Sequence, residues 1–472
     1  MPDLRNALSG YSDWLGYGHG ERADAWLERL TLNRAELDAF RSASSPACAA
    51  YCAAAATLAS ADGNLAGSRA GNMQPLPADA AAALARASRN ADLHAFTWLA
   101  DAVPAHGAGF LAGVPVAIKD LMAVAGMPLS AGSAAFERRP APADAEIVAR
   151  LKRAGAVVIG MTNLHEFAYG ITSDNPHFGR VVNPAAPQRI PGGSSGGSAA
   201  AIAAGIVRAA VGTDTAGSIR IPAACCGITG FKPSYDALPR RGVLDLAPSL
   251  DHVGPMGRSV EDCAALFAAM LDLPAVPAWR YDDLSAIGVA RLRGFFDGPL
   301  DGDVRAAVDA AVLALTQDGA RCTEQQVEGI ELAGAIQLNT ICAEATAVHA
   351  ERLREHGARM GEDVRVRLEI GQFLPGPWYV KAQRLRARLV ARIDALFAGA
   401  DVLLCPTLRT PAPPVGASQV DIGGTSYPLH TAVTSLTLPF NLAGLPAISI
   451  PWTRSKDGVP VCLQVVGARG AD

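Results

Sequence analysis

The chain has 472 residues, of which 50% are hydrophobic and 18% are charged, and its formal net charge at pH 7 is −4. This balance excludes an intrinsically disordered protein, because such chains lack the apolar residues that form a core. A chain without a surplus of basic residues is also poorly suited to nucleic-acid phosphates or anionic membranes. We therefore expect small molecules or proteins as partners, with no nucleic acid and no membrane.

The first part of the chain, residues 1–75, predicts an N-terminal helical extension whose role is unknown. Its start carries charged residues and no apolar segment of the kind found in secretory signals. The alanine-rich run over residues 46–61 is too short and too weakly apolar to span a bilayer. Gly, Pro, Ser and Asn are frequent over residues 60–78, which indicates a linker. Residues 76–472 are predicted to form the second, larger domain.

Short apolar strands alternate with helices along this larger domain. Strands are predicted at "GVPVAIKD", "AVVIG" and "VRAAVGTD", and helices at "DAEIVARLKRAG", at "TNLHEFAYG" and in "AGSIRIPAACCG". Residues 262–400 are mostly helical in pattern and are interpreted as an insertion that shapes the substrate site. Strand-like runs return at "DVLLCPT", "PAISIPW" and "VPVCLQVVG". The alternation predicts an α/β fold with a mixed or parallel sheet.

The nine cysteines show no spacing typical of a metal site. An odd, scattered set in a large chain without a signal sequence predicts reduced thiols and a cytoplasmic protein. The pair His165-Glu166 does not begin an H-E-x-x-H zinc motif. We therefore expect neither a metal nor a cofactor.

The run "GGSSGGS", residues 192–198, allows three interpretations. A flexible linker is typical of such composition, but strand and helix patterns flank this run closely. A phosphate-binding P-loop requires a lysine that is absent here. The run also satisfies G-x-S-x-G, the nucleophile elbow of α/β-hydrolases. In that hypothesis Ser194 is the nucleophile and needs a later acid and a histidine, for which the candidates are His252, His349, His356 and His430.

A second turn of the same kind occurs in "GTDTAGSIRIPAACCG", where a strand end leads through small residues and Ser218 into a helix. Backbone N–H groups at such a turn can stabilise an oxyanion, and the positive end of the helix dipole assists them. Upstream, Lys119 ends the strand "VPVAIK". A buried lysine can act as a base because burial lowers its pKa. One lysine and two serines on three strand ends could therefore perform acyl transfer without histidine.

Lys119, "GGSSGGS" and "GTDTAGSIRIPAA" together resemble the amidase signature family, in the same order and at that family's spacing. Ser194 follows Lys119 by 75 residues, and Ser218 follows Ser194 by 24. The resemblance extends from about residue 80 to the end of the sequence. It implies a catalytic domain over residues 76–472, with a mixed twisted β-sheet flanked by helices on both faces.

The resemblance also implies roles for these residues. Ser218 resembles the nucleophile, Ser194 the bridging serine that follows a cis peptide bond, and Lys119 the terminal base. The implied reaction is hydrolysis of an amide carbon–nitrogen bond through an acyl-enzyme, as in an amidase acting on linear amides. The implied oxyanion hole consists of the backbone N–H groups of Thr215, Ala216, Gly217 and Ser218.

A third region suggests the substrate. In "RLEIGQFLPGPWYVKAQRLRARL", Arg367 occupies the position of a family arginine that lies near the charged end of the substrate. Tyr379, Gln383 and Arg386 follow one another at i, i+4 and i+7, which places them on one helix face. Tyr169 lies in "YGITSDNPHFGRVVNP", another family segment. If these residues bind substrate, the small amide carries a carboxylate; the alternative is a solvated basic helix face.

Within the family, the sequence most resembles the carboxybiuret-hydrolase branch, small ureide amidases of nitrogen metabolism. Two alternatives stay open, a glutamine-amidotransferase A-type subunit that acts in a complex and a Ser-His-Asp esterase. The expected assembly is a homodimer or a complex with a small accessory subunit. Ala216 departs from the family pattern, which has glycine there. The family's last helix has no counterpart after "VGARGAD", so we expect another segment or subunit to cover that part of the core.

Overall fold

The computed structural model describes residues 79–277 and 284–472, and the apolar runs of these ranges form thirteen strands. The strands are β1 (Phe96–Leu99), β2 (Pro115–Lys119), β3 (Val157–Thr162), β4 (Ala209–Asp214), β5 (Thr229–Lys232), β6 (His252–Gly257), β7 (Gly288–Leu292), β8 (Arg321–Gln325), β9 (Val402–Pro406), β10 (Gln419–Ile422), β11 (Thr425–Pro428), β12 (Ala447–Arg454) and β13 (Pro460–Gly467). Those predicted from "VPVAIK", "AVVIG", "VRAAVGTD", "DVLLCPT", "PAISIPW" and "VPVCLQVVG" are all present.

Eleven α-helices occur in the same ranges. They are α1 (Ala80–Arg89), α2 (Glu146–Arg153), α3 (Gly196–Ala203), α4 (Arg220–Cys226), α5 (Val260–Met270), α6 (Gly302–Gln317), α7 (Ala333–His356), α8 (Glu362–Gly371), α9 (Gly376–Ala395), α10 (Leu429–Thr434) and α11 (Leu438–Ala443). Among the helices described, none is both long enough and apolar enough to cross a bilayer.

Eleven of the described strands form one mixed sheet in the order β1-β3-β2-β4-β6-β5-β12-β13-β9-β7-β8, while β10 and β11 form a separate hairpin. β2 is parallel to both of its neighbours, β3 and β4. β7 is likewise parallel to β8 and β9, and the other pairings in the large sheet are antiparallel. Because β2, β3 and β4 run in the same direction, their carboxyl ends meet at one edge of the sheet.

Both faces of the sheet are covered by helices. Successive side chains of a strand point to opposite faces, and in β2 the residues Val116 and Ile118 pack in one apolar cluster while Ala117 packs in another. Helices α2 and α5 contribute to the first cluster, and α1 and α3 contribute to the second. The α/β architecture implied by the resemblance is therefore confirmed.

Two local predictions differ from the structure. The segment "TNLHEFAYG" does not start an α-helix; it contains a single 3₁₀ turn, Glu166–Ala168, in which Phe167 and Ala168 have positive φ. The reason is tertiary, because the buried Glu166 carboxylate accepts hydrogen bonds from Ser133 and from the N–H of Gly361, far away in sequence. Residues 262–400 are mostly helical, but β7 and β8 interrupt them and join the main sheet.

The predicted N-terminal extension, residues 1–75, lies outside the described residues, and its separation from residues 76–472 stays a prediction.

Candidate active site

Two turns and a strand end meet at the carboxyl edge of the central parallel strands. Lys119 is the last residue of β2, and the turn that precedes α3 carries Ser194 and Ser195. The peptide bond between Gly193 and Ser194 is cis, as the resemblance implied. α3 approaches the strands closely because Gly197 has no side chain; a Cβ there would lie 2.3 Å from a backbone oxygen.

The Lys119 amine is fully buried and donates to three hydroxyl groups. Its Nζ lies 2.7 Å from Ser194 Oγ, 2.9 Å from Ser195 Oγ and 2.8 Å from Thr213 Oγ1. Sequence analysis identified Lys119 and Ser194 but missed Ser195 and Thr213. Thr213 could have been found, because it lies one residue before the end of a strand that is parallel to the lysine strand.

The surroundings of Lys119 favour the neutral amine. Burial lowers the pKa of Lys119 from 10.5 to about 7, even though the carboxylates of Asp214 and Asp251 act in the opposite direction. The cause is the loss of hydration that the ammonium form would otherwise have. A substantial neutral fraction near pH 7 is what a general base requires.

The turn that carries Ser218 lies against the Ser194 turn. It connects β4 with α4, and the Ser218 side chain is almost completely buried. The Ser218 carbonyl oxygen accepts a hydrogen bond of 3.2 Å from the N–H of Ser195. The two serine-bearing turns and the lysine strand are thus connected directly, through Ser195 and Lys119.

The predicted oxyanion hole needs one correction. The N–H of Gly217 donates to Asp214 Oδ1 at 2.8 Å, so it is already engaged and does not count as a free donor. The N–H groups of Thr215, Ala216 and Ser218 make no hydrogen bond within the described ranges. These three are therefore the donors available for a developing oxyanion.

Gly217 has a different, steric role in the same turn. Its φ is +133°, a conformation that favours glycine, and a Cβ at this position would lie 2.3 Å from Thr437 Oγ1. Ala216 is only half-buried, and its carbonyl oxygen accepts a 2.6 Å hydrogen bond from Thr437. An alanine is therefore accommodated at position 216, whereas position 217 requires glycine.

A buried ion pair holds the Ser218 turn in shape. The Asp214 carboxylate pairs with Arg220, with Nη2–Oδ1 at 2.9 Å and Nε–Oδ2 at 3.0 Å, and both side chains are fully buried. Oδ2 also accepts the N–H of Ile219 at 3.2 Å. Burial alone would raise the pKa of Asp214, but the Arg220 guanidinium holds it well below its usual range. Asp214 thus remains ionised and fixes the backbone around Ser218.

The histidine-dependent alternative finds no support in the described residues. The Ser194 hydroxyl is hydrogen-bonded by Lys119, and no histidine of the described ranges hydrogen-bonds it. The His252 ring hydrogen-bonds the Leu250 carbonyl oxygen through Nδ1, and burial lowers its pKa well below the usual value. Burial likewise lowers the pKa of His349 to about 3 and that of His430 to about 4.

Two of the predicted substrate-binding residues lie together. The guanidinium of Arg367 donates to the Tyr169 carbonyl oxygen and lies 5.5 Å from the centre of the Tyr169 ring. Arg367 also forms an ion pair of 3.2 Å with Asp363, one turn earlier on α8. Asp363 in turn lies 2.9 Å from the His165 ring. The arginine is therefore held in place by an aromatic ring and a carboxylate.

Two residues of the predicted α9 face contact helix α7. Tyr379 donates to Glu344 Oε1 at 2.9 Å, and Gln383 donates to Thr340 Oγ1 at 2.9 Å. Burial and the hydrogen bond to Glu344 raise the pKa of Tyr379 to about 12. These side chains therefore join two helices, which neither a solvated face nor a direct substrate contact requires.

The third residue of this face, Arg386, connects α9 with two loops. It donates to the carbonyl oxygens of Ser249 and Leu442, each at 2.8 Å. It also lines an open groove of about 290 Å³ together with Tyr235 and Arg469. Lys119, Ser194 and Ser218 do not line this groove, so the structure does not bring Arg386 together with the catalytic candidates.

Comparison with known proteins agrees with this site. The Amidase family model matches residues 77–472. The chain is 38% identical over 373 residues to AtzE, the 1-carboxybiuret hydrolase subunit of Pseudomonas sp. (strain ADP), with 76% of this chain and 80% of that protein covered. It is 37% identical over 405 residues to the A-type subunit of the glutamyl-tRNA(Gln) amidotransferase of Roseiflexus castenholzii, covering 78% and 81%.

Solved structures agree as well. A crystal structure of an amidase superimposes with a TM-score of 0.77 at 36% identity, covering 83% of this chain and 91% of the other. The family model spans all three motifs, the lysine strand and both serine turns. The chain therefore belongs to the amidase signature family, whose enzymes hydrolyse amide bonds.

Proposed function

We propose that the chain hydrolyses the carbon–nitrogen bond of a small amide or ureide with Ser218 as nucleophile, Ser194 as proton relay and Lys119 as base. The observation that carries this assignment is the 2.7 Å hydrogen bond between the buried Lys119 amine and Ser194 Oγ, beside the Ser218 turn. We also propose that residues 76–472 are the catalytic domain, in agreement with the range that the family model matches.

The proposed reaction has two stages. Neutral Lys119 takes the Ser194 proton, Ser194 takes the Ser218 proton, and Ser218 Oγ forms a bond to the carbonyl carbon. The N–H groups of Thr215, Ala216 and Ser218 stabilise the oxyanion. The carbon–nitrogen bond then breaks as the proton returns to the leaving nitrogen, which leaves an acyl ester on Ser218. Water adds to this ester through the same base, releasing the acid and regenerating the Ser218 hydroxyl.

The assignment of Ser218 can be tested without knowing the substrate. A fluorophosphonate probe forms a covalent bond with an activated serine, and peptide mapping identifies that serine. We expect the label on Ser218 and expect it to be lost in Lys119→Ala, since the serine is then no longer activated. Label on Ser194 that depends on a histidine would instead support the esterase alternative and contradict the proposal.

We further propose that the substrate carries a carboxylate that interacts with Arg367. Arg367 is the predicted basic residue that Tyr169 and Asp363 hold in a defined position, and a planar guanidinium is suited to carboxylates. The proposal is consistent with the similarity to AtzE, described as a carboxybiuret hydrolase subunit. It places the chain among enzymes of nitrogen metabolism.

Arg367→Ala is expected to change substrate selectivity. For an amide that bears a carboxylate, kcat/KM should fall roughly 10- to 100-fold, because a hydrogen bond to a charged group is lost. For the matched neutral amide, the change should stay within about 3-fold. A screen of paired amides, each tested with and without a carboxylate, measures both effects. Equal losses for both members of a pair would contradict the proposed role.

The second candidate function is an A-type subunit of a glutamine amidotransferase. It is favoured by the similarity to such amidotransferase subunits and by a solved structure of a vestigial protein complex, 33% identical with a TM-score of 0.72. Purification of the untagged protein from its source tests it. A stable partner at fixed stoichiometry would support a complex, whereas a homodimer active on simple amides would support an independent hydrolase.

We propose the cytoplasm as the compartment. The seven cysteines that lie in the described ranges are all free thiols, which suits a reducing environment.

A further inference from the structure

The carboxylate of Asp251 contacts the turn between β4 and α4, although no step of the proposed reaction uses it. Thr215 Oγ1 donates to Asp251 Oδ1 at 2.6 Å. The other oxygen, Oδ2, accepts the N–H of Leu246 at 2.7 Å and that of Ala247 at 3.0 Å. Asp251 is buried, with 6% of its surface exposed. One carboxylate therefore joins the turn to the loop of residues 246–251.

The hydrogen bond acts on a residue with an N–H that is available for the oxyanion. Threonine is branched at Cβ, so a bond to its Oγ1 selects one χ1 rotamer and fixes the side chain against its own backbone. The N–H of Thr215 belongs to this same residue and makes no hydrogen bond within the described ranges. The direction of this N–H therefore depends on where Asp251 holds the side chain.

The loop that carries Asp251 is itself anchored. Ser249 donates to Glu344 on α7 through its N–H at 2.8 Å and through its hydroxyl at 2.6 Å. Arg386 on α9 donates to the Ser249 carbonyl oxygen at 2.8 Å. Asp251 consequently transmits a rigid reference position from two long helices to the serine turn.

Electrostatics alone do not account for the burial of this carboxylate. No lysine, arginine or histidine of the described ranges forms an ion pair with Asp251, and burial raises its pKa to about 7. A buried carboxyl group without an ion pair lowers the stability of a fold unless hydrogen bonds offset the loss of hydration. The three hydrogen bonds to the turn and the loop are the interactions that Asp251 provides.

We propose that Asp251 is a positioning residue that orients the Thr215 N–H toward the substrate oxygen as negative charge develops on it. This inference rests on the proposed function. An interaction that matters only in the transition state affects kcat more than substrate binding. Loss of Asp251 should therefore lower kcat while KM changes little.

The first test compares Asp251→Asn with Asp245→Asn. The asparagine at 251 keeps the volume but places an NH₂ group opposite either the Thr215 hydroxyl or the loop N–H groups, all of which donate. We expect kcat for the best amide of the screen, and the rate of fluorophosphonate labelling, to fall about 10²-fold. KM should change by less than about 3-fold. Asp245, a more exposed carboxylate just outside this loop that pairs with Arg240, should change both rates by less than about 2-fold.

A double-mutant cycle between Asp251 and Thr215 gives the second test. Thr215→Val removes the hydroxyl at constant shape and should reduce kcat about as much as Asp251→Asn. The double variant should lose no more than either single variant, and Thr215→Ser, which keeps the hydroxyl, should lose less than Thr215→Val. This serine–valine comparison decides the question even if Asp251→Asn fails to fold.

Three results would overturn the inference. They are additive losses in the cycle, equal losses in Thr215→Val and Thr215→Ser, or an Asp251→Asn enzyme whose kcat stays within about 3-fold of the parent. These results leave the proposed function intact as long as the parent is labelled at Ser218. A parent that is not labelled at Ser218 would overturn the proposed function and this inference together.

Discussion

Ser218→Ala is expected to lower the turnover of every amide substrate by roughly 10⁴-fold or more. The variant lacks the oxygen that forms the acyl ester, so only the oxyanion donors and substrate binding remain to accelerate hydrolysis. Steady-state kinetics on the amide screen measure this loss. Binding of a non-hydrolysed competitive inhibitor should be retained, because Ser218 is almost completely buried in a turn that Asp214 and Arg220 hold independently of the hydroxyl.

Ser234→Ala is a matched control for this experiment. Ser234 is also a buried serine, but its hydroxyl accepts a hydrogen bond from the N–H of Gly470 near the end of the chain. Its replacement should leave kcat within about 3-fold. Appreciable turnover by Ser218→Ala, such as one tenth of the parent rate, would refute the nucleophile assignment.

Lys119→Ala should reduce kcat/KM about 10³-fold, as expected when a general base is removed. The parent enzyme should also show a defined pH dependence. Burial lowers the pKa of Lys119 to about 7, and only the neutral amine accepts a proton. Activity is therefore expected to be low below pH 7, where the ammonium form dominates, and to rise through pH 7 toward a plateau.

A pH–rate profile of kcat/KM measures this dependence. The residual activity of Lys119→Ala should lose the step near pH 7 that the parent shows. Because the carboxylates of Asp214 and Asp251 act on the same amine, the measured midpoint belongs to the coupled groups. A parent profile that falls as the pH rises from 6 to 8 would contradict the base assignment, as would an unchanged step in Lys119→Ala.

Much of the fold was predictable because its strands are short apolar runs that end at Gly, Pro or Asp. The strands around "VPVAIK" and "VRAAVGTD" were recognised in this way, and so was the helix that begins after Ser218. β8 has mostly exposed residues, so it lacks the hydrophobic pattern by which strands are recognised. The 3₁₀ turn Glu166–Ala168 was missed because its shape depends on hydrogen bonds from Ser133 and Gly361 to Glu166.

The candidate site divides in the same way. Lys119, Ser194 and Ser218 could be selected because each ends a strand or begins a helix within a motif of small residues, and because their spacing resembles one family. Ser195 and Thr213 have the same chemistry as many other hydroxyl residues. Only their distances to the lysine amine, 2.9 Å and 2.8 Å, distinguish them.

The residues predicted to bind substrate show where sequence periodicity stops being informative. A helical repeat placed Tyr379, Gln383 and Arg386 on one face of α9, and all three lie in that helix. The repeat could not indicate what the face contacts. In the structure it contacts α7 through Glu344 and Thr340, and the loop at Ser249.

The sequence by itself determined the α/β class, the family and the order of lysine, relay serine and nucleophile, because these depend on local patterns and on spacing. The tertiary structure alone decided which groups are charged, which N–H groups are available and which carboxylate supports the turn. Gly217 was predicted to be an oxyanion donor, but Asp214 accepts its N–H. Asp251 carried no sequence signal, because its effect on Thr215 arises from contacts between segments that are distant along the chain and meet only after folding.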